Sequence, residues 1–129
     1  MLTAIFNFIT RRTVAAHYID ERIRYSHKIY LGHDIPAGPL AGRMSTDEFD
    51  SFLAKFLVEV ADKRLEFYTL TTCTGRYGKV SETTTVLEVI SENHGIERNI
   101  QLVAKAYKQW FSQESVMYTK TEIETVEFM

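Results

Sequence analysis

Few residues in this sequence have types and spacings that could carry chemistry. It contains four histidines and one cysteine, Cys73, and the histidines show no metal-ligand spacing among themselves. The glycine-rich phosphate loops GxGxxG and GxxxxGKS/T and the nucleophile motif GxSxG do not occur. We therefore expect no metal and no catalytic triad, and the chemistry must be sought in a few other positions.

The first of these positions is Glu82, which lies in the threonine-rich run SETTT (81–85). Glutamate is depleted in strands, so a carboxylate among strand-forming threonines is a candidate site residue. If the preceding turn is centred on residues 76 and 77, Glu82 faces Thr71 across the ladder and Tyr68 lies opposite Thr85. The alternative is a solvated charge at a sheet edge, where it would prevent aggregation.

The second position is the run FSQESV (111–116), between a predicted helix and the last predicted strand. Gln113 and Ser115 could project an amide and a hydroxyl toward a ligand. They could equally cap the carbonyl groups at the helix end. Neither residue decides between the two interpretations by itself.

Hydrophobic periodicity predicts the elements that hold these residues. Alternation of apolar and polar residues indicates a first strand, and a capping box from Ser45 to Glu48 opens the first helix. The sequence Gly75-Arg76-Tyr77-Gly78 is typical of a hairpin turn. The predicted elements are strand 25–31, helix 46–63, strands 67–74 and 79–90, helix 97–112 and a strand within 115–128.

The order β-α-β-β-α-β predicts an α+β fold, a ferredoxin-like sandwich with a four-stranded antiparallel sheet and two helices on one face. The other face of such a sheet is bare, and a bare apolar face usually packs against another subunit. We therefore expect an oligomer. Residues 21–129 are predicted to form a single domain, and residues 1–20 an N-terminal arm.

Composition excludes several classes of protein. The 129 residues are 45% hydrophobic and 25% charged, which is typical of one globular domain. No apolar run approaches the length of a membrane span, so we expect no membrane contact. The net charge is −2, which argues against nucleic-acid binding. The only candidates for a basic face are Arg11, Arg12, Arg22, Arg24 and Lys28, and a solvated N-terminal arm explains them more simply. A single cysteine suggests a cytoplasmic protein.

Four short motifs together resemble a known family. They are Tyr30-Leu31-Gly32 at the end of a strand, STDEF (45–49) at the start of a helix, Glu82 before a β-branched strand, and FSQESV before the last strand. This pattern resembles a family of small bacterial and phage domains of unknown function. It also resembles the phage-encoded S-adenosylmethionine lyases, compact α+β trimers similar to the signal-transduction protein PII. The resemblance covers roughly residues 25–126.

The lyase resemblance implies that S-adenosylmethionine is cleaved to methylthioadenosine and homoserine lactone, without a cofactor, in a pocket between subunits. The substrate's own carboxylate would displace the sulfonium. Glu82 would bind the substrate ammonium, and Gln113 would bind the amino-acid end or the ribose. Tyr68 or Tyr77 would stack on adenine or face the sulfonium, and Thr71 and Ser115 are further candidates for substrate binding. The resemblance also implies a homotrimer, located in the host cytoplasm if the gene belongs to a phage.

Two other functions stay open from the sequence. The chain could be a non-catalytic PII-like trimer that binds an adenine nucleotide or a related metabolite, or a structural protein without a ligand. The absence of a phosphate-binding loop argues mildly against a triphosphate ligand. Few Lys or Arg residues lie near Glu82 in the sequence, and this favours a cationic ligand over an anionic one.

Overall fold

The computed structural model describes residues 18–20, 23–34, 45–92 and 95–129. Helix α1 is α-helical over Thr46–Phe56, continues as a π-helical turn over Leu57–Ala61 and ends with Asp62–Arg64. Helix α2 spans Ile96–Trp110. The strands are β1 (Tyr18–Asp20), β2 (Arg24–Gly32), β3 (Thr69–Tyr77), β4 (Val80–Ser91), β5 (Met117–Ile123) and β6 (Val126–Phe128).

The main sheet has the strand order β3-β4-β2-β5, and every neighbouring pair is antiparallel. With α1 between β2 and β3, and α2 between β4 and β5, this is the predicted β-α-β-β-α-β sandwich. The predicted α+β fold, a four-stranded antiparallel sheet with two helices, is therefore confirmed.

One hydrophobic core joins the two helices to one face of the sheet. Ile29 and Leu31 of β2 are fully buried, whereas Tyr30 between them is only half-buried on the opposite face. This alternation follows from the two-residue period of a strand. The core residues are Ile29, Leu31, Leu87 and Val89 from the sheet, Phe49, Leu53, Phe56, Ala61 and Leu65 from α1 and the residue that follows it, and Ile100, Val103, Tyr107 and Phe111 from α2 and its end.

The β3–β4 hairpin differs from its prediction. Gly75 pairs with Glu82 and Tyr77 with Val80, so the turn consists of Gly78 and Lys79 rather than the four residues 75–78. Gly78 has φ +64°, and a two-residue hairpin loop needs positive φ at its first position, which glycine supplies at no steric cost. The predicted register, in which Glu82 faces Thr71, is therefore wrong.

Part of the predicted N-terminal arm is in a strand. Tyr18–Asp20 pairs with Val126–Phe128 as a separate two-stranded sheet, while residues 1–17 lie outside the described residues. The predicted boundary between an arm (1–20) and a domain (21–129) stays a prediction. The segment between β2 and α1 lies mostly outside the described residues as well, because residues 35–44 are not described. Neither described helix is long and apolar enough to span a membrane.

The capping box at the start of α1 can be tested directly. The Ser45 hydroxyl accepts a hydrogen bond from the Glu48 amide at 3.2 Å, and the Glu48 carboxylate accepts one from the Ser45 amide at 3.5 Å. We expect Ser45→Ala to lower the free energy of unfolding in urea by about 1 kcal/mol, because one helix-end amide loses its acceptor. Ser51→Ala, at an exposed position inside α1, is the matched control and should be neutral or slightly stabilising. Equal effects of the two changes would contradict the cap.

Candidate functional site

A cavity of about 410 Å³ opens on the side of the sheet that faces away from the helices. It lies where the end of β2, the start of β4 and the turn between α2 and β5 meet. Its volume falls in the range of small-molecule sites. The described residues that line it are Tyr30, Gly32, Asp34, Glu82, Thr84, Gln113, Glu114, Ser115 and Met117.

The Glu82 carboxylate lies directly against the backbone of Gly32. A Cβ atom on residue 32 would overlap Glu82 Oε1 and approach Gln113 Oε1 to 3.4 Å. Glu82 Oε1 also accepts a hydrogen bond of 3.3 Å from the Asp34 amide. The close approach is possible only because residue 32 is glycine.

The Gln113 side chain is fixed by both of its donors. Its Nε2 donates to the carbonyl oxygens of Asp34, at 2.5 Å, and Phe111, at 3.1 Å. The Gln113 amide donates to the Lys108 carbonyl at 3.0 Å, and the chain turns through Ser112, whose φ is +50°. With Nε2 engaged twice, the side chain is held with its Oε1 acceptor near Gly32, close to the Glu82 carboxylate.

The charged side chains among the described lining residues are all negative. Three of the described lining residues are carboxylates, Asp34, Glu82 and Glu114, and none of the described lining residues is Lys, Arg or His. Across the described ranges, no three His, Cys, Asp or Glu side chains are grouped as a metal site would require. The arrangement can accept hydrogen bonds from a cation and can neutralise its charge.

His33 lies behind the cavity, on the core side of the sheet. Its Nε2 and the Thr85 hydroxyl are 2.8 Å apart and share a hydrogen bond, and its ring stacks on Phe49 at 4.1 Å. Burial lowers the pKa of His33 below 6.5, although the charges of Asp50 and Asp34 partly oppose this. The folded protein therefore disfavours the imidazolium. The free energy of unfolding decreases as the pH falls from 6.5 through the lower pKa that His33 has in the folded state.

Three of the predicted site residues, Glu82, Gln113 and Ser115, line this cavity together. Thr71 does not line it, because it pairs with Val86 in the observed register. Tyr68 does not line it either: its hydroxyl donates to Asp62 at 2.6 Å, and burial and this carboxylate raise the pKa of Tyr68 to about 12. The backbone of Tyr77 pairs in the hairpin, and its side chain is outside the described part of the structure.

Sequence reasoning missed six of the described lining residues: Tyr30, Gly32, Asp34, Thr84, Glu114 and Met117. The signal for Tyr30 was present, because alternation places it on the opposite face from Ile29 and Leu31. Met117 pairs with Tyr30 across the β2–β5 ladder, so its place depends on a register that the sequence does not show.

The contact between Gly32 and Glu82 predicts what Gly32→Ala will do. Oε1 is the end of a flexible side chain, so it can swing away, and we expect the free energy of unfolding to change by less than about 1 kcal/mol. The Asp34 amide should lose its acceptor, and its proton resonance should shift in an amide NMR spectrum. Gly78→Ala is the control: it should destabilise the turn by about 1 kcal/mol and leave the Asp34 resonance unmoved. An unmoved Asp34 resonance in Gly32→Ala would contradict the contact.

Comparisons with known proteins give a family and a fold. The structure of a phage S-adenosylmethionine lyase in complex with S-methyl-5'-thioadenosine matches with a TM-score of 0.54 at 15% identity, over 81% of this chain and 88% of that one. The same kind of phage lyase in its apo state matches with a TM-score of 0.49 at 16% identity, over 81% and 87%. No curated protein sequence matches the chain. Residues 26–128 match the model of a family described as a protein of unknown function (DUF3574), and the chain belongs to that family.

Proposed function

We propose that this protein is an S-adenosylmethionine lyase that forms methylthioadenosine and homoserine lactone. The observation that carries the proposal is the pair of acceptors at the cavity wall, the Glu82 carboxylate and Gln113 Oε1, which both approach Gly32. The cavity around them has three carboxylates and no basic side chain among its described lining residues. The fold shared with a phage lyase that holds methylthioadenosine supports the proposal.

The substrate ammonium would bind between Glu82 and Gln113. An ammonium has several donors and one positive charge, so it matches a carboxylate beside an amide oxygen. The Gln113 donors are already engaged by the Asp34 and Phe111 carbonyls, so Oε1 is the atom of this amide that is left to accept from the ligand. Held in this way, the aminobutyrate chain can bend so that its carboxylate reaches its own γ-carbon.

The reaction needs little from the protein beyond this orientation. A carboxylate oxygen of the substrate attacks the γ-carbon, the carbon–sulfur bond breaks, and its electron pair stays on sulfur. A neutral thioether leaves and a lactone forms, so no proton is transferred in this step. The charges on sulfonium and carboxylate cancel in the transition state, which favours the reaction in a cavity with little water. A basic side chain would hold the substrate carboxylate back from attack, and the described lining residues provide none.

We assign the aromatic contact to Tyr30. Among the described lining residues it is the one aromatic ring, whereas Tyr68 bonds to Asp62 outside the cavity. A tyrosine face attracts a cation through its quadrupole and can also stack on a purine. Ser115 and Thr84 supply hydroxyl groups on the same wall, suited to the ribose. With one cysteine in the sequence, we propose that the protein acts in the cytoplasm.

Glu82→Gln tests the proposal most sharply, because it removes the charge and keeps the size of the side chain. Loss of a charge-assisted hydrogen bond costs about 1.5–3 kcal/mol, so turnover of S-adenosylmethionine should fall by at least roughly tenfold. Methylthioadenosine and homoserine lactone are measured by mass spectrometry. The matched control is Glu59→Gln, an equal change at an exposed position of α1, which should keep the wild-type rate.

The same assay separates the lyase from a nucleotide binder. Wild-type protein is incubated in parallel with S-adenosylmethionine, with ATP and with buffer alone. We expect methylthioadenosine and lactone in the first arm and no bound ATP in the second, because three carboxylates repel a triphosphate. Bound ATP and no lactone from a folded wild type would replace the lyase with the nucleotide-binding trimer. Equal rates of wild type and Glu82→Gln would remove Glu82 from the site.

We further propose that the protein is a homotrimer, with the cavity beside a subunit boundary. Two features support assembly. The outer strand β3 carries no charge and no proline from Thr69 to Gly75, although exposed sheet edges are usually protected by one or the other. On the sheet face that carries the cavity, Ile90 and Met117 are exposed apolar side chains.

Light scattering at micromolar concentration tests the assembly. We expect a mass three times the 14.9 kDa of one chain. Thr72→Lys, a charge placed on the exposed β3 edge, should shift the distribution toward smaller species if that edge is covered in the oligomer. A wild-type mass of one chain would contradict the proposal.

A further inference from the structure

Tyr107 of α2 is a buried tyrosine whose hydroxyl reaches the cavity wall from the core side. Its side chain is fully buried, and its hydroxyl donates to the Gly32 carbonyl at 2.6 Å. The ring is held independently of this bond, since it stacks on Phe111 at 4.1 Å and meets Phe56 edge-on at 5.5 Å. Packing therefore fixes the ring without help from the hydroxyl group.

Tyr107 donates to the carbonyl of Gly32, the residue against which the Glu82 carboxylate lies. The Glu82 carboxylate lies against the Cα atom of Gly32. Two residues further along the chain, the Asp34 amide donates to the same carboxylate. The Asp34 carbonyl in turn accepts from Gln113. A hydrogen bond that fixes the Gly32 carbonyl thus fixes the backbone segment that orients both acceptors of the proposed site.

A second observation links the two side chains electrostatically. Burial raises the pKa of Tyr107, and the negative charge of Glu82 raises it further. The carboxylate is therefore near enough to act on the phenol. The phenol therefore stays protonated, so its hydroxyl keeps donating to the Gly32 carbonyl.

We propose that Tyr107 is a positioning residue for Glu82. Tyr107 acts through the Gly32 carbonyl and keeps the Glu82 carboxylate and Gln113 Oε1 in place to bind one ligand cation. The proposal deepens the lyase function and rests on it for the identity of the ligand. Tyr107 does not line the cavity and touches no substrate; it sets the place of the groups that do. Phenylalanine at this position would keep the packing and lose the orientation.

Tyr107→Phe is the direct test, read first by kinetics. We expect kcat for S-adenosylmethionine to fall roughly tenfold and KM to change by less than about threefold, because the bent reacting geometry suffers more than binding does. In the Glu82→Gln background the same change should have no further effect on kcat, since its action requires the carboxylate. The control is Tyr118→Phe, which removes a hydroxyl 2.7 Å from His27 Nδ1, away from the cavity, and should keep the wild-type kcat.

A second measurement does not depend on activity. The Asp34 amide donates to Glu82, so its proton resonance reports where the carboxylate lies. Tyr107→Phe and Glu82→Gln should both shift this resonance, and Tyr118→Phe should not. If a folded wild type forms no lactone, the lyase proposal fails and the Asp34 resonance alone decides the positioning role. An unmoved Asp34 resonance in Tyr107→Phe, or a loss of kcat that simply adds to that of Glu82→Gln, would overturn the role of Tyr107.

Discussion

The Glu82 carboxylate can lie flat on strand β2 only because residue 32 has no side chain. A Cβ atom on residue 32 would overlap Glu82 Oε1, so with any other residue the carboxylate would have to leave this position. The neighbouring contacts depend on this one: the Asp34 amide reaches the carboxylate, and Gln113 reaches the Asp34 carbonyl. The site is thus built from three chain segments that meet at one glycine.

The aromatic core keeps the third of these segments in place. Phe111, at the end of α2, packs against Phe49, Phe52 and Phe56 of α1, with ring centres 4.9–5.7 Å apart. Such contacts stabilise by burial and by preferred ring geometry. Because Phe111 is fixed, the turn that follows it presents Gln113 in one orientation. Packing between the helices therefore determines the geometry of a cavity on the opposite side of the sheet.

Periodicity was enough to predict the fold, and chemical type was enough to find part of the cavity. The alternation in β2 and the apolar spacing of α1 and α2 are local signals, so the elements and their order could be predicted. The hairpin register could not, because it depended on which of two glycines, Gly75 or Gly78, takes positive φ. The supporting roles of Gly32 and Tyr107 depend on contacts between distant segments, which no spacing in the sequence reveals.

The three carboxylates among the described lining residues act before any ligand touches the cavity. Asp34, Glu82 and Glu114 together create a negative potential at the cavity mouth, which extends about one Debye length, roughly 8 Å at physiological salt. A cation is attracted to such a mouth during diffusion and a polyanion is repelled. The association rate is therefore higher for the cation than for the polyanion. Added salt would slow the capture of cations and relax the exclusion of anions. Selection among metabolites of different charge would then vary with the ionic strength of the cell.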